Sequence, residues 1–453
     1  MTLLIAAPCS GSGKTLVSLL LAAVAAQRQQ GLQSFKVGPD YLDPQLLSRV
    51  SGVPCRNLDL LLCGESWVRR SFRWWSQQQP LSLVEGVMGL FDGVGPSSQG
   101  SSAAVATTLD LPVLLVVEAS RQAASLAALV RGFRDHDPNI TIAGVVLNGV
   151  STPRHQRLLS DVLDQIGMPL LGVLPRHPAL ELPSRHLGLL PPQELPDWPK
   201  RCDQWAELAT QWLDLERIWP WLASHEATTT EHPLAALGPQ QQPDGPLVAI
   251  ARDTAFHFCY PELEESLLHL GCHVTQWAPL EDQPLPAECA AVVLPGGYPE
   301  LHAKELSHCR QSLDSLAQHG RAGRAIYAEC GGLLLLGNKL EDASGESHAM
   351  AGLLPHQARR GELSLGYRTA HVQRDGLVVR HGETLHGHEF HRWQISGSDH
   401  EAAPWQLEGW GVRSRVEGWT DAAVHASWLH LHWGGCPSIA LRLSHAAGKS
   451  PIA

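Results

Sequence analysis

Ala7-Pro8-Cys9-Ser10-Gly11-Ser12-Gly13-Lys14-Thr15 decides the fold of the first half of the chain. It follows the apolar, strand-like run Leu3–Ala7 and opens the helical pattern Leu16–Gln29. Strand, Gly/Ser loop and helix in that order make a phosphate-binding loop. Gly11, Ser12 and Gly13 let backbone N–H groups turn inward, and the helix N-terminus favours an anion. Lys14 would reach the terminal phosphates, and the Thr15 hydroxyl would bind Mg²⁺. Pro8 stands where the general pattern has its first glycine. The bland alternative is a Gly/Ser turn that happens to precede a helix; Gly-Lys-Thr in this context makes it the weaker one.

Outward from the loop, the runs Ser34–Val37, Leu81–Glu85, Val113–Val117, Ile142–Leu147 and Leu170–Leu174 alternate with helical patterns such as Ala123–Phe133 and Arg154–Gln165. That alternation predicts an α/β fold, a mainly parallel sheet flanked by helices. The pattern lapses from about His225 to Gly245, through Thr228–Thr230, Pro233, Gln240–Gln242 and Pro243. A second series begins at Leu247–Ala251, with a helix at Pro261–Leu270, strands at Ala291–Leu294 and Ala325–Ala328, and a β-rich stretch from His348 to Trp428. The expected organisation is two domains, 1–225 and 246–453, joined by a linker at 226–245.

The 453 residues exceed one typical core, and 44% hydrophobic with 17% charged residues is a compact profile. A net charge of −11, without a basic stripe, argues against a nucleic-acid binder. Met1–Gln27 is apolar but has no basic start, and Lys14 interrupts it, so it reads as core rather than as a signal peptide. No later run reaches about 18 apolar residues, so no membrane span is expected. Ten scattered cysteines suit reduced thiols in the cytoplasm. The 24 histidines and 15 tryptophans are an excess that composition does not explain.

Two acidic clusters sit at expected strand ends, Lys36–Pro44 and Glu85–Gly93. Ligands of parallel sheets bind beyond the carboxyl ends of strands, so both loops could converge on the P-loop. Asp40 and Glu85 are then hard-oxygen candidates for Mg²⁺. In the second half, Ala325–Leu333 reads as strand, tight turn and helix with Cys330 at the bend, the placement of a thiol nucleophile. Leu294–Glu300 carries Gly296-Gly297, whose N–H groups could stabilise an oxyanion. Ser427–Trp433 offers His430 and His432 as bases. Both could face Cys330, because residues two apart on a strand share a face.

In this order the motifs resemble the cobyrinate a,c-diamide synthase family, over nearly the whole chain. The P-loop, Phe35–Pro44, Asn57-Leu58-Asp59, Glu85–Gly93, Leu147-Asn148, Arg185–Leu189, Ala249–Tyr260, Pro295–Glu300, Ala328–Leu333, Leu365–Arg368, Gly387–His391 and the final His-x-His carry the likeness. The first half also resembles dethiobiotin synthetase and the second half a triad (class I) glutamine amidotransferase.

The resemblance implies ATP- and glutamine-dependent amidation of the a- and c-acetate groups of cobyrinic acid, with Mg²⁺. It puts Lys36 and Asn148 with the P-loop at the nucleotide, and makes Tyr41, Asp43 and Asp92 further candidates for substrate contact. It favours His430 as the base. His432 stands where many such enzymes carry a Glu, which leaves the third triad member open. Rival readings keep the chemistry on hydrogenobyrinate or a nickel sirohydrochlorin, or make the chain a cobyric acid synthase. From another class, a P-loop regulatory protein with a degenerate amidotransferase domain would lack the nucleophile, and Cys330 is present.

Overall fold

The first apolar run becomes the central strand of a sheet buried on both sides. In the computed structural model, which describes residues 2–182, 184–185, 188–189, 197–224, 231–242, 244–397 and 402–449, the chain forms two compact units, Met1–His232 and Pro233–Ala453. His186 and Leu187 of the Arg185–Leu189 motif, and Thr228–Thr230 and Pro243 of the expected linker, lie outside the described residues.

In the first unit, β1 (Leu3–Ala6), β2 (Leu32–Val37), β3 (Arg56–Leu58), β4 (Leu81–Glu85), β5 (Val113–Glu118), β6 (Ile142–Asn148) and β7 (Leu170–Leu174) form an all-parallel sheet, in the order β3-β2-β4-β1-β5-β6-β7. Alternate residues of β1 enter opposite cores: Leu3 and Ile5 join α1 (Lys14–Gln27) and α2 (Leu42–Ser51), while Leu4 and Ala6 join α3 (Glu65–Ser76) and α4 (Ser102–Leu109). This two-sided burial explains why β1 and β5 read as near-continuous apolar runs. α1 is buried over most of its surface, so the apolar start of the chain is core.

The second unit has a parallel sheet in the order His273–Trp277, Leu247–Ala251, Cys289–Leu294, Ala325–Glu329, Val424–Ser427, closed by antiparallel Trp419–Thr420. The β-rich stretch adds a separate sheet built on the long antiparallel pair Gln357–Val372 and Thr384–Ser396, to which His430–Leu431 is hydrogen-bonded. Part of the expected linker is packed rather than loose. Leu234 and Leu237 enter the second unit's core, and Gln241 N–H donates to His269 O at 2.9 Å.

Candidate active sites

The P-loop needs its glycines: Gly11 and Gly13 have φ of +80° and +107°, and a Cβ on Gly13 would lie 2.6 Å from Asn148 Nδ2. Asn148 itself donates to Ser12 O at 3.1 Å, which ties the end of β6 to the loop. Lys14 Nζ donates to Met88 O at 2.5 Å, and Thr15 Oγ1 donates to Glu85 Oε1 at 2.7 Å and Asp43 Oδ2 at 3.3 Å. Lys36 Nζ, buried at the end of β2, lies 2.6 Å from Asp43 Oδ2, 2.8 Å from Glu85 Oε1 and 3.6 Å from Asp40 Oδ2. The two acidic clusters thus meet at the P-loop, as strand-end geometry requires.

The charges are strongly perturbed. Burial alone would depress the Lys36 ammonium, but Asp43, Glu85 and Asp40 outweigh it and hold it well above the usual lysine range. Burial, then the Lys36 charge, lowers Lys14. Burial pushes Glu85 up to about 7, and burial with the like charge of Asp43 pushes Asp40 up to about 6. Asp43 goes the other way: burial works upward, yet Lys36 holds it low. The remaining oxygen of Glu85, Oε2, is buried and accepts no hydrogen bond among the described residues, so it can serve a hard cation.

Asp40 Oδ1 accepts the N–H groups of Leu42 and Asp43 at 2.9 and 3.2 Å and so starts α2. Tyr41 is mostly buried at the head of the same helix. Asp92 closes its own loop by accepting Gly89 N–H at 2.8 Å. Beside Asn148, a cavity of about 410 Å³ is lined by Ser120, Arg121, Gly149, Thr152, His155 and Arg176 among others.

Cys330 sits between the strand Ala325–Glu329 and the helix Gly331–Leu336 with φ 43° and ψ −98°. A non-glycine residue in that region is strained, and the sharp bend is the placement expected of a nucleophile. Its N–H donates to Ser427 O at 2.7 Å, which ties the bend to the strand that leads to His430. Burial first, then Glu300 and Glu329, raises the thiol well above its ordinary value, while the Gly331 N–H works in the opposite sense. The resting group is therefore the neutral thiol. Glu300 is itself pushed up to about 7 by burial.

Gly296 and Gly297 flank this bend. A Cβ on Gly296 would lie 2.3 Å from His430 Cε1, and a Cβ on Gly331 would lie 3.0 Å from Gly297 N. His430 Nδ1 is 3.5 Å from Glu329 Oε2. The strand ends at Leu431, so the two-residue alternation does not extend to His432, whose Nε2 lies 3.5 Å from Glu262 Oε2 and whose ring centroid is 4.4 Å from that of Tyr260.

Two family models cover most of this architecture: the CobQ/CobB/MinD/ParA nucleotide binding domain over residues 3–190, and the CobB/CobQ-like glutamine amidotransferase domain over residues 247–437. A Synechocystis protein named cobyrinate a,c-diamide synthase is 41% identical over 96% of this chain and 91% of its own. A Synechococcus protein of the same name is 40% identical over 96% of both chains. The chain belongs to the cobyrinate a,c-diamide synthase family. A Streptomyces coelicolor relative named hydrogenobyrinate a,c-diamide synthase is 38% identical over 97% of this chain and 96% of its own.

Within this family member, several residues near the sites had no role assigned by sequence reasoning. Glu417 accepts from Ser427 Oγ at 2.7 Å, Trp428 N–H at 2.8 Å and Trp405 Nε1 at 3.0 Å, and so fixes the approach to His430. Arg368 donates to Glu389 at 2.6 Å, which gives the Leu365–Arg368 and Gly387–His391 motifs a common buried ion pair. The motifs were visible; their pairing across two long strands was not.

Proposed function

We propose that this chain amidates the a- and c-acetate carboxylates of cobyrinic acid at the expense of ATP and glutamine, a step of cobalamin biosynthesis. The observation that carries the reading is the pair of built sites, P-loop with carboxylates and Cys330 with His430, in a chain at 41% identity across 96% of its length to a protein of that name. Localisation follows the same reading: ten free cysteines suit the reducing cytoplasm, and among the described residues no helix is long and apolar enough to cross a membrane.

At the first site, Gly11, Ser12 and Gly13 would cradle the phosphates, while Lys14 and Lys36 neutralise charge as a substrate carboxylate attacks the γ-phosphorus. The bond to the β-phosphate breaks and ADP leaves, giving an acyl phosphate. Ammonia then attacks the acyl carbon, displaces phosphate and loses a proton to leave the amide, and catalysis is mainly positioning and charge stabilisation. Thr15, Asp40 and Glu85 would hold Mg²⁺, which when bound supplies charge neutralisation at the phosphates. Asn148 and the adjoining cavity suit the base end of the nucleotide. Tyr41, Asp43 and Asp92 remain on the substrate side of the proposal, although Asp43 also pairs with Lys36.

At the second site, His430 takes the thiol proton as Cys330 sulfur attacks the glutamine carboxamide carbon. Gly296, Gly297 and Gly331 supply N–H groups for the oxyanion. The C–N bond then breaks, the leaving nitrogen takes the proton from His430, and ammonia departs from a thioester. Water hydrolyses the thioester to glutamate. His432 would support the site from beside Tyr260.

Mass spectrometry after incubation with cobyrinic acid, ATP, Mg²⁺ and glutamine should find two successive amidations. Absence of both products removes this substrate. Relatives named for hydrogenobyrinate favour that acid as the second reading, and the same assay with it decides between them.

A further inference from the structure

We propose that Glu329, the residue immediately before the nucleophile, is the carboxylate that orients His430 for glutamine hydrolysis. The inference rests on reading the second unit as a glutaminase. In many triad amidotransferases the orienting carboxylate stands two residues after the histidine, and here that place holds His432. Its Nδ1 accepts Gly434 N–H at 3.2 Å, so in the neutral ring the proton is on Nε2, which faces Glu262. His432 is therefore engaged on its own account at both nitrogens.

Glu329 is built for the vacant role. It is 4% exposed, at the end of the strand that delivers Cys330. Its two oxygens divide the work. Oε1 accepts Tyr327 Oη–H at 2.6 Å and Leu431 N–H at 3.2 Å, which fixes the carboxylate against the strand that carries His430. Oε2 faces His430 Nδ1 at 3.5 Å.

The surrounding contacts close a ring: Gly296 packs on the His430 imidazole, the imidazole meets Glu329, Glu329 is bonded to Cys330, and Gly331 packs on Gly297. A further titratable group set against His430 is His388, its register partner on Thr384–Ser396. Burial, then His430 and Arg368, depresses His388 to about 3, so His388 is neutral at working pH. Arg368 is committed to Glu389. Glu329 is the carboxylate that the structure sets against His430 Nδ1. It holds the proton on Nδ1, leaves the Nε2 lone pair for the Cys330 thiol proton, and stabilises the imidazolium that results.

Glu329→Gln tests the role. The amide oxygen can keep Tyr327 and Leu431, while the NH₂ group now donates to Nδ1 and forces the proton onto Nε2. Glutaminase kcat should fall by about 10²–10⁴-fold, with ammonia-dependent synthesis kept. The acid limb of Cys330 alkylation by iodoacetamide should move to lower pH, because the carboxylate that favours the imidazolium, and that also raises the thiol, is gone. The readout that separates the two effects is ¹⁵N NMR of the His430 ring, whose proton should shift from Nδ1 to Nε2. Glu262→Gln should leave that limb in place.

The proposal is overturned if Glu329→Gln keeps glutaminase within about threefold of the parent, or if the limb stays where it was. Should the variant not fold, ¹⁵N NMR of the parent protein's His430 ring decides: an Nδ1–H tautomer supports the proposal and an Nε2–H tautomer overturns it. Absence of any glutaminase in the parent protein would sink the amidotransferase reading, whereas the tautomer would still report on Glu329.

Discussion

Replacing Gly296 by Ala perturbs His430, the proposed base, and leaves Cys330, the proposed nucleophile, unchanged. The added Cβ would sit 2.3 Å from His430 Cε1, 3.2 Å from Nδ1 and 3.3 Å from Nε2. Carbon atoms rest at about 3.5–4.0 Å, so the ring or its strand must retreat by more than about 1 Å. His430 is enclosed, with its strand hydrogen-bonded to Thr384–Ser396, and retreat therefore moves the imidazole from the position in which it is proposed to serve Cys330. A displacement of that size typically costs about 10²-fold in rate, and the overpacking itself costs about 1–3 kcal/mol of stability. Glutamine hydrolysis, followed as glutamate release, should fall about 100-fold, while ammonia-dependent synthesis at the other unit stays near the parent level. Loss of less than about threefold in a folded variant would show that the ring beside Gly296 is not the catalytic base.

Other substitutions probe neighbouring claims. His430→Ala should reduce glutaminase to near the level of Cys330→Ala and His432→Ala should cost less, both keeping ammonia-dependent synthesis; the reverse order would make His432 the base. Asp40→Asn or Glu85→Gln should depress synthesis with glutamine and with ammonium salts alike, and loss with glutamine alone would remove them from the ATP site. Acid should unfold the second unit through its buried histidines. Burial lowers His319 and His356 to about 4 and His425 to about 3, so stability is full above the unfolded value near 6.5 and is lost as pH falls toward the folded values. About 1–2 kcal/mol per ring should be gone by pH 5, read as a falling melting temperature, and a flat profile from pH 7 to 5 would contradict their neutral burial.

What the sequence made legible was local. The P-loop lies within nine consecutive residues, so Lys14 and Thr15 could be placed without knowledge of the fold. β3 was missed as a strand because Arg56–Leu58 is three residues long and shows no alternation, although Asn57-Leu58-Asp59 stood out as a motif. Asp43 read as a substrate contact; α2 opens at Leu42 and turns its carboxylate onto Lys36 and Thr15. The long antiparallel pair eluded a periodic reading because its solvent-facing residues and register shift between Arg360 and Ser364 break the pattern. Glu329 lies inside the Ala325–Leu333 stretch, and its place beside Cys330 gives it no role in sequence. Neighbours on a strand point to opposite faces, and it is the strand arriving at His430 that sets its imidazole against the Glu329 carboxylate, next to the bend at Cys330, φ 43°. The histidine excess is partly explained by rings that cap buried carbonyls, His319 on Ala325 O and His356 on Leu333 O.

The central claim is a division of labour, with ammonia made at Cys330 and used at the P-loop unit. Cys330→Ala, given cobyrinic acid, ATP and Mg²⁺, tests it most directly when the products are weighed by mass spectrometry with each nitrogen donor in turn. The account predicts no amidated product with glutamine and near-parental diamide with ammonium salts. Product from glutamine, or no product from ammonium in a folded variant, would contradict it.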